Sequence, residues 1–170
     1  SIMEVSRNKG PEDNFLEKVR QLTTAKGIVL IFDECTSGFR QTFGGLHKIY
    51  GVEPDMAMYG KAMGNGYAIN AVIGRRAVME AAQSSFISST FWTERIGPTA
   101  ALKTLEVMER LKSWKIITTT GNTIRQGWLQ LAQKYGLDIE IWGLPALSGF
   151  TLKSSNGLAY KTLVTQEMLA

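Results

Sequence analysis

The chain has one cysteine, Cys35, and one histidine, His47, in 170 residues. A lone cysteine excludes an internal disulfide framework. One cysteine and one histidine are also too few soft ligands for a structural zinc site. No apolar run approaches the roughly 20 residues of a membrane-spanning helix. A basic stretch followed by an apolar one, the pattern of a secretory signal, is missing as well. These absences point to a reducing, cytoplasmic setting. One-sided charge is also scarce. Lys and Arg number 19, Asp and Glu 15, for a net charge of +4. The basic residues are scattered, which argues against nucleic acid as a partner.

What is there is an ordinary globular balance, 44% hydrophobic and 20% charged. It is enough for a sizeable core in one or two domains. The chain opens on strand-like Ser1-Ile2-Met3-Glu4-Val5 and closes on Gln166-Glu167-Met168-Leu169-Ala170 in a helical pattern. Both ends read as cut, so the expectation is a piece of a longer protein.

Ile2 to Val5 reads as a short strand. Pro11, Asp13 and Asn14 precede a helical pattern carried by Phe15, Leu16, Val19, Leu22 and Ala25, with Gly27 as its stop. Ile28 to Phe32 is a continuous apolar run, as in a strand buried on both faces. Strand, helix and strand make a βαβ unit. Further strands are read at Asp55 to Tyr59 and Ala68 to Gly74, a short helix at Ala77 to Ser84, and a brief strand at Phe86 to Ser88. Pro98 opens a long helical pattern that reaches Gly136 with a break near Trp114. Asp138 to Trp142 alternates in polarity, a half-buried strand, with Phe150 to Leu152 as its antiparallel partner. Uniformly apolar strands thus give way to alternating ones. The fold class is α/β, with a mostly parallel sheet and flanking helices over 1–112, and the start of a smaller α+β domain over 113–170.

Two places carry chemistry. Asp33-Glu34 ends the most apolar strand, at the sheet edge where ligands sit in open α/β folds. Alone, the pair reads better as a helix N-cap or as a salt-bridge partner for Arg40 than as a site. Gly60-Lys61-Ala62-Met63-Gly64-Asn65-Gly66 puts a lysine directly after another apolar strand. A lysine there can be desolvated into a nucleophilic amine, and the glycines allow close backbone approach. Alone, Lys61 reads equally as a surface residue in a loop. The segment is neither a P-loop nor a Rossmann fingerprint, which disfavours a nucleotide-binding domain. Together, an acid and a lysine at neighbouring strand ends would face one crevice. That suits a pyridine aldehyde cofactor, whose ring nitrogen needs a carboxylate and whose aldehyde needs an amine. His47 reads as a surface or loop histidine. Trp92, Trp114, Trp128 and Trp142 read as packing and interface anchors rather than ring-stackers.

Phe32-Asp33-Glu34-Cys35-Thr36-Ser37-Gly38-Phe39-Arg40, with Pro54-Asp55, Gly60-Lys61 and Gly64-Asn65-Gly66, resembles the signature of the class III pyridoxal-phosphate aminotransferases of fold type I. The nearest branch is that of glutamate-1-semialdehyde 2,1-aminomutase. The resemblance implies pyridoxal 5'-phosphate as cofactor and transfer of an amino group between small-molecule donor and acceptor. It implies that Lys61 is the Schiff-base lysine and proton shuttle, and that Asp33 pairs with the pyridine nitrogen. Cys35 stands where the family has Val, against the ring face, with a thiol open to oxidation. Thr90, in Ser88-Ser89-Thr90-Phe91-Trp92, matches the threonine that reaches the cofactor phosphate of the partner subunit in a homodimer; Thr93 is the fallback. The family's phosphate-binding glycine-serine loop and ring-stacking aromatic lie upstream of this stretch, so weak cofactor binding and no turnover are expected of these residues alone. The alternatives are a decarboxylase or racemase of the same fold, and a non-catalytic remnant that folds without cofactor.

Overall fold

The computed structural model describes residues 1–88 and 90–169. Strand β1 (Ile2–Glu4) leads through a loop to helix α1 (Phe15–Ala25) and strand β2 (Ile31–Asp33). Gly27 ends α1 at φ 63. Its N–H bonds to Thr24 O at 3.2 Å and the N–H of Ile28 to Thr23 O at 2.8 Å. That paired closure needs a left-handed residue, which glycine adopts without strain. β1 and β2 then pair in parallel, Met3 opposite Phe32, completing the expected βαβ unit.

Strand β3 (Met56–Tyr59) adds in parallel on the other side of β2, and β4 (Ala71–Gly74) closes the sheet antiparallel to β3. The order β1-β2-β3-β4 is a mixed sheet. Between β2 and β3 lies a one-turn helix, α2 (His47–Tyr50), and after β4 another, α3 (Arg76–Met79), which runs on as 3₁₀ to Ser84.

Side chains alternate across a pleated strand. Met3, Phe32 and Ala57, in register, therefore share one face. Phe32 packs there with Val5, Leu16, Leu30, Leu46 and Val52. Ala57 and Tyr59 pack with Phe39, Met63 and Ala101. The opposite face carries Ile2, Ile31, Met56 and Met58 and is only partly covered. Burial of the Ile28 to Phe32 run on both faces is therefore not met within these residues. Ile28 and Val29 are exposed, and the strand itself starts at Ile31.

Helix α4 (Ile96–Leu111) buries Gly97 and Ala101 against the sheet. Gly97 permits the approach, since a Cβ there would lie 2.7 Å from Ala68 O. The break in the long helical pattern falls at Lys112 in left-handed backbone, φ 51, two residues before Trp114. Helix α5 (Ser113–Tyr135) follows, then the antiparallel hairpin of β5 (Ile139–Trp142) and β6 (Gly149–Leu152), then α6 (Gly157–Leu169). Trp128 packs edge-on against Phe150, and Trp114 against Phe43, as packing anchors. Trp92 is exposed. The strand read at Phe86 to Ser88 does not form. Residues 86–88 carry no strand assignment and Phe86 is 95% exposed, so among the described residues no neighbour supplies the ladder that a strand requires.

Among the described residues no helix is long and apolar enough to cross a membrane. Phe32→Ala should destabilise the chain by about 3–5 kcal/mol, as the loss of a fully buried aromatic does. Ile73→Ala, at an exposed strand position, should cost about 0.5 kcal/mol or less. Urea unfolding followed by circular dichroism separates the two.

Candidate functional site

Parallel strands β2 and β3 end side by side, with Asp33 opposite Met58. Asp33 is the last residue of β2, and Lys61 follows β3 by one glycine, so both stand at the same sheet edge. A Cβ on Gly60, between strand and lysine, would displace the side-chain end of Asn70. Lys61 itself adopts φ 42, a left-handed conformation uncommon outside glycine. A 3₁₀ turn holds it, with Met63 N–H donating to Gly60 O at 3.0 Å and Asn65 N–H to Lys61 O at 3.0 Å. Such backbone strain persists where the surroundings over-determine it.

Asp33 Oδ1 accepts the backbone N–H of Cys35 at 3.0 Å. The Cys35 thiol is pushed above its usual range by burial first, then by the hydrogen bond and charge of Asp33, with the charge of Lys61 opposing. Asp33 and Lys61 therefore both act on the Cys35 thiol, with opposite sign. Lys61 Nζ donates to Thr36 Oγ1 at 2.7 Å. The side chain of Lys61 is exposed, so the desolvation expected of it is not supplied by these residues. Thr90 lies in an exposed turn, and no hydrogen bond or ion pair among the described residues joins it to the other three. Thr93 shares that turn.

Sequence reasoning missed Thr36 as a contact of the lysine, and it misplaced His47. His47 is 4% exposed, and its Nδ1 lies 2.8 Å from Glu34 Oε1. Glu34 is fully buried. Its Oε2 accepts the Ser37 hydroxyl at 2.6 Å and the Leu46 N–H at 2.8 Å, while Oε1 also accepts the His47 N–H at 3.0 Å. Strand alternation explains the division of labour: Asp33 looks toward the lysine edge, and Glu34 turns into the core. The one available signal was Ser37, three residues after Glu34 and able to bond back to it. Arg40 forms no ion pair among the described residues, and its Nε bonds to Thr36 O at 3.4 Å instead. The salt-bridge reading of Asp33-Glu34 with Arg40 is therefore overturned. A second buried acid, Asp55, accepts Leu30 N–H at 2.8 Å and Arg20 Nη1 at 2.9 Å, with Arg75 at 3.2 Å. It braces the opposite end of β2.

Burial on its own raises the Glu34 carboxyl, but the bonds from His47, Ser37 and Leu46 outweigh it and hold Glu34 below the ordinary 4.5. A carboxyl depressed in the folded state stabilises above its unfolded value and loses that stabilisation as pH falls through the folded value. Glu34→Gln should therefore cost roughly 1–3 kcal/mol near neutral pH, the scale of buried donors left without their acceptor. The gap to the parent chain should narrow as pH drops below about 4.5. Urea unfolding at stepped pH measures it; a gap that stays constant into acid would contradict the assignment.

Residues 9–166 match the family profile described as Aminotransferase class-III. The 3-aminobutyryl-CoA aminotransferase of Cloacimonas acidaminovorans is 37% identical over 157 residues, 92% of this chain and 38% of the relative. The 2'-deamino-2'-hydroxyneamine transaminase of Streptomyces kanamyceticus is 34% identical over 131 residues, 76% of this chain and 33% of the relative. The chain thus spans well under half the length of these relatives. Among solved structures, an omega-transaminase from Sphaerobacter thermophilus superposes with a TM-score of 0.77 at 27% identity, over 89% of this chain and 36% of that one. The FumI protein of Sphingopyxis sp. MTA144, solved in its PLP internal aldimine form, superposes with a TM-score of 0.84 at 24% identity, over 92% of this chain and 39% of that one, a likeness of fold.

Proposed function

The chain belongs to the class-III aminotransferases, a pyridoxal-phosphate-dependent enzyme family, and from that premise we propose that it carries the cofactor-holding edge of an amino-transferring enzyme. The observation that bears most weight is the shared sheet edge: a carboxylate at the end of β2, and a lysine held in left-handed backbone beyond the end of β3. The donor set fits pyridoxal phosphate. Lys61 offers an amine for covalent attachment, Asp33 a carboxylate for the ring nitrogen, and Cys35 a protonated thiol for contact with the ring. When bound, the cofactor supplies an electron sink for charge developing on a substrate carbon.

Asp33 would hold a positive charge on the ring nitrogen, and Lys61 Nζ would hold the cofactor and carry the proton exchanged at the substrate. We assign Thr90 to the phosphate of a partner subunit in a homodimer. We read Lys112 as the hinge between a cofactor domain, 1–112, and a smaller domain, 113–170, because the helical pattern changes direction there in left-handed backbone. The activity proposed is that of the whole protein, acting in the cytoplasm on a small-molecule donor and acceptor. The names of both curated relatives favour amino transfer over the aminomutase reaction. Those names differ in substrate, so the reading stops at the reaction class.

Incubation with pyridoxal phosphate, borohydride reduction and peptide mass mapping tests this. Lys61 should carry the label in clear preference to the other lysines, and Lys61→Ala should lose it. Uniform labelling of surface lysines would sink the assignment.

A further inference from the structure

Lys61 and Thr36 are both exposed, yet amine and hydroxyl meet at 2.7 Å. A long lysine side chain in solvent gains little from wandering into one geometry unless its partner is already fixed. Thr36 is fixed. It lies between Glu34 and Ser37, and these two are tied to each other by the Ser37 hydroxyl on Glu34 Oε2 at 2.6 Å. The Gly38 N–H adds a bond to Glu34 O at 2.8 Å. Leu46 and His47 secure the far end of the same loop to the same carboxylate. Gly38 itself is wedged, since a Cβ there would lie 2.7 Å from Glu34 O and 2.8 Å from the Tyr59 ring. The loop therefore presents the Thr36 hydroxyl as a set feature of the surface.

We infer that Thr36 orients the Lys61 amine, and that Glu34 is the positioning residue that holds Thr36 in place. A hydroxyl both accepts and donates. It accepts a hydrogen bond from a lysine ammonium and can donate one to the lone pair of a free amine, so Thr36 keeps Nζ in register in either protonation state. A carbonyl has no hydrogen to give the lone pair of the free amine, and valine can neither accept nor donate. The catalytic meaning of this arrangement rests on the proposed role of Lys61; the orientation itself does not.

Trace acetylation with acetic anhydride, quantified lysine by lysine on the full chain, reads the orientation without cofactor. Thr36→Val should raise Lys61 labelling about threefold or more against the other lysines, the scale of one lost hydrogen bond. Thr36→Ser should restore the parent rate. Glu34→Gln should reproduce the valine effect without touching Lys61, and Ser37→Ala, a milder change, replaces it if that variant does not fold. Asp55→Asn disturbs the buried acid at the other end of β2 and should leave Lys61 unchanged. An unaltered rate in Thr36→Val, or an equal rise in Asp55→Asn and Glu34→Gln, overturns the inference. Parallel mapping with pyridoxal phosphate separates the two readings. A Thr36 effect with no cofactor captured at Lys61 refutes the proposed function and leaves the orientation standing. Capture at Lys61 with no Thr36 effect does the reverse.

Discussion

A carboxylate with no solvent contact is costly unless every lone pair is used. Glu34 meets that condition, accepting bonds from Ser37, Leu46 and both nitrogens that His47 offers. The consequence reaches beyond the pair. Residues 35–46 carry Cys35 and Thr36 past the end of β2, and both ends of that excursion are tied to one side chain. Tyr59 packs on the same loop, with its ring 5.5 Å from that of Phe39, and its hydroxyl is pushed up to about 12 by burial first and then by the charges of Glu34 and Glu53. A neutral phenol and an ionised carboxylate coexist there, which keeps the loop core uncharged on one side and satisfied on the other.

The sheet edge and the buried clamp are two uses of one dipeptide. Pleating sends Asp33 to the edge and Glu34 inward. The acid at the edge is thus the chain neighbour of the acid that anchors the loop. Asp55 repeats the device at the start of β2, where Arg20 and Arg75 offset the cost of its burial. The short parallel strand between them has both its ends stapled by charge, and Phe32 fills its middle. Little freedom remains for the two strand ends at the edge to drift apart.

The family-bearing residues were legible because they are contiguous or nearly so. The apolar run into Asp33-Glu34, the Gly60-Lys61 step and the glycines at 64 and 66 are local patterns. The strand pairing of 139–142 with 149–152 and the helix stop at Gly27 were legible for the same reason. The strand read at Phe86 to Ser88 failed because apolar residues make a strand only where a neighbour offers a ladder. His47 was misread because its partner lies thirteen positions away across a loop, and histidine carries no sign of burial in its own neighbourhood.

By itself the sequence determined the βαβ unit, the change from apolar to alternating strands, and the presence of an acid and a lysine at strand ends. Each of these follows from periodicity and steric preference over a few residues. Only the tertiary structure decided which faces those side chains take, that β4 runs antiparallel, that Glu34 is a buried clamp while Asp33 stays half-buried at the strand end, and that Thr36 is the hydroxyl bonded to Lys61. Those outcomes depend on register and on loop closure, which couple residues far apart in the chain and leave no local trace.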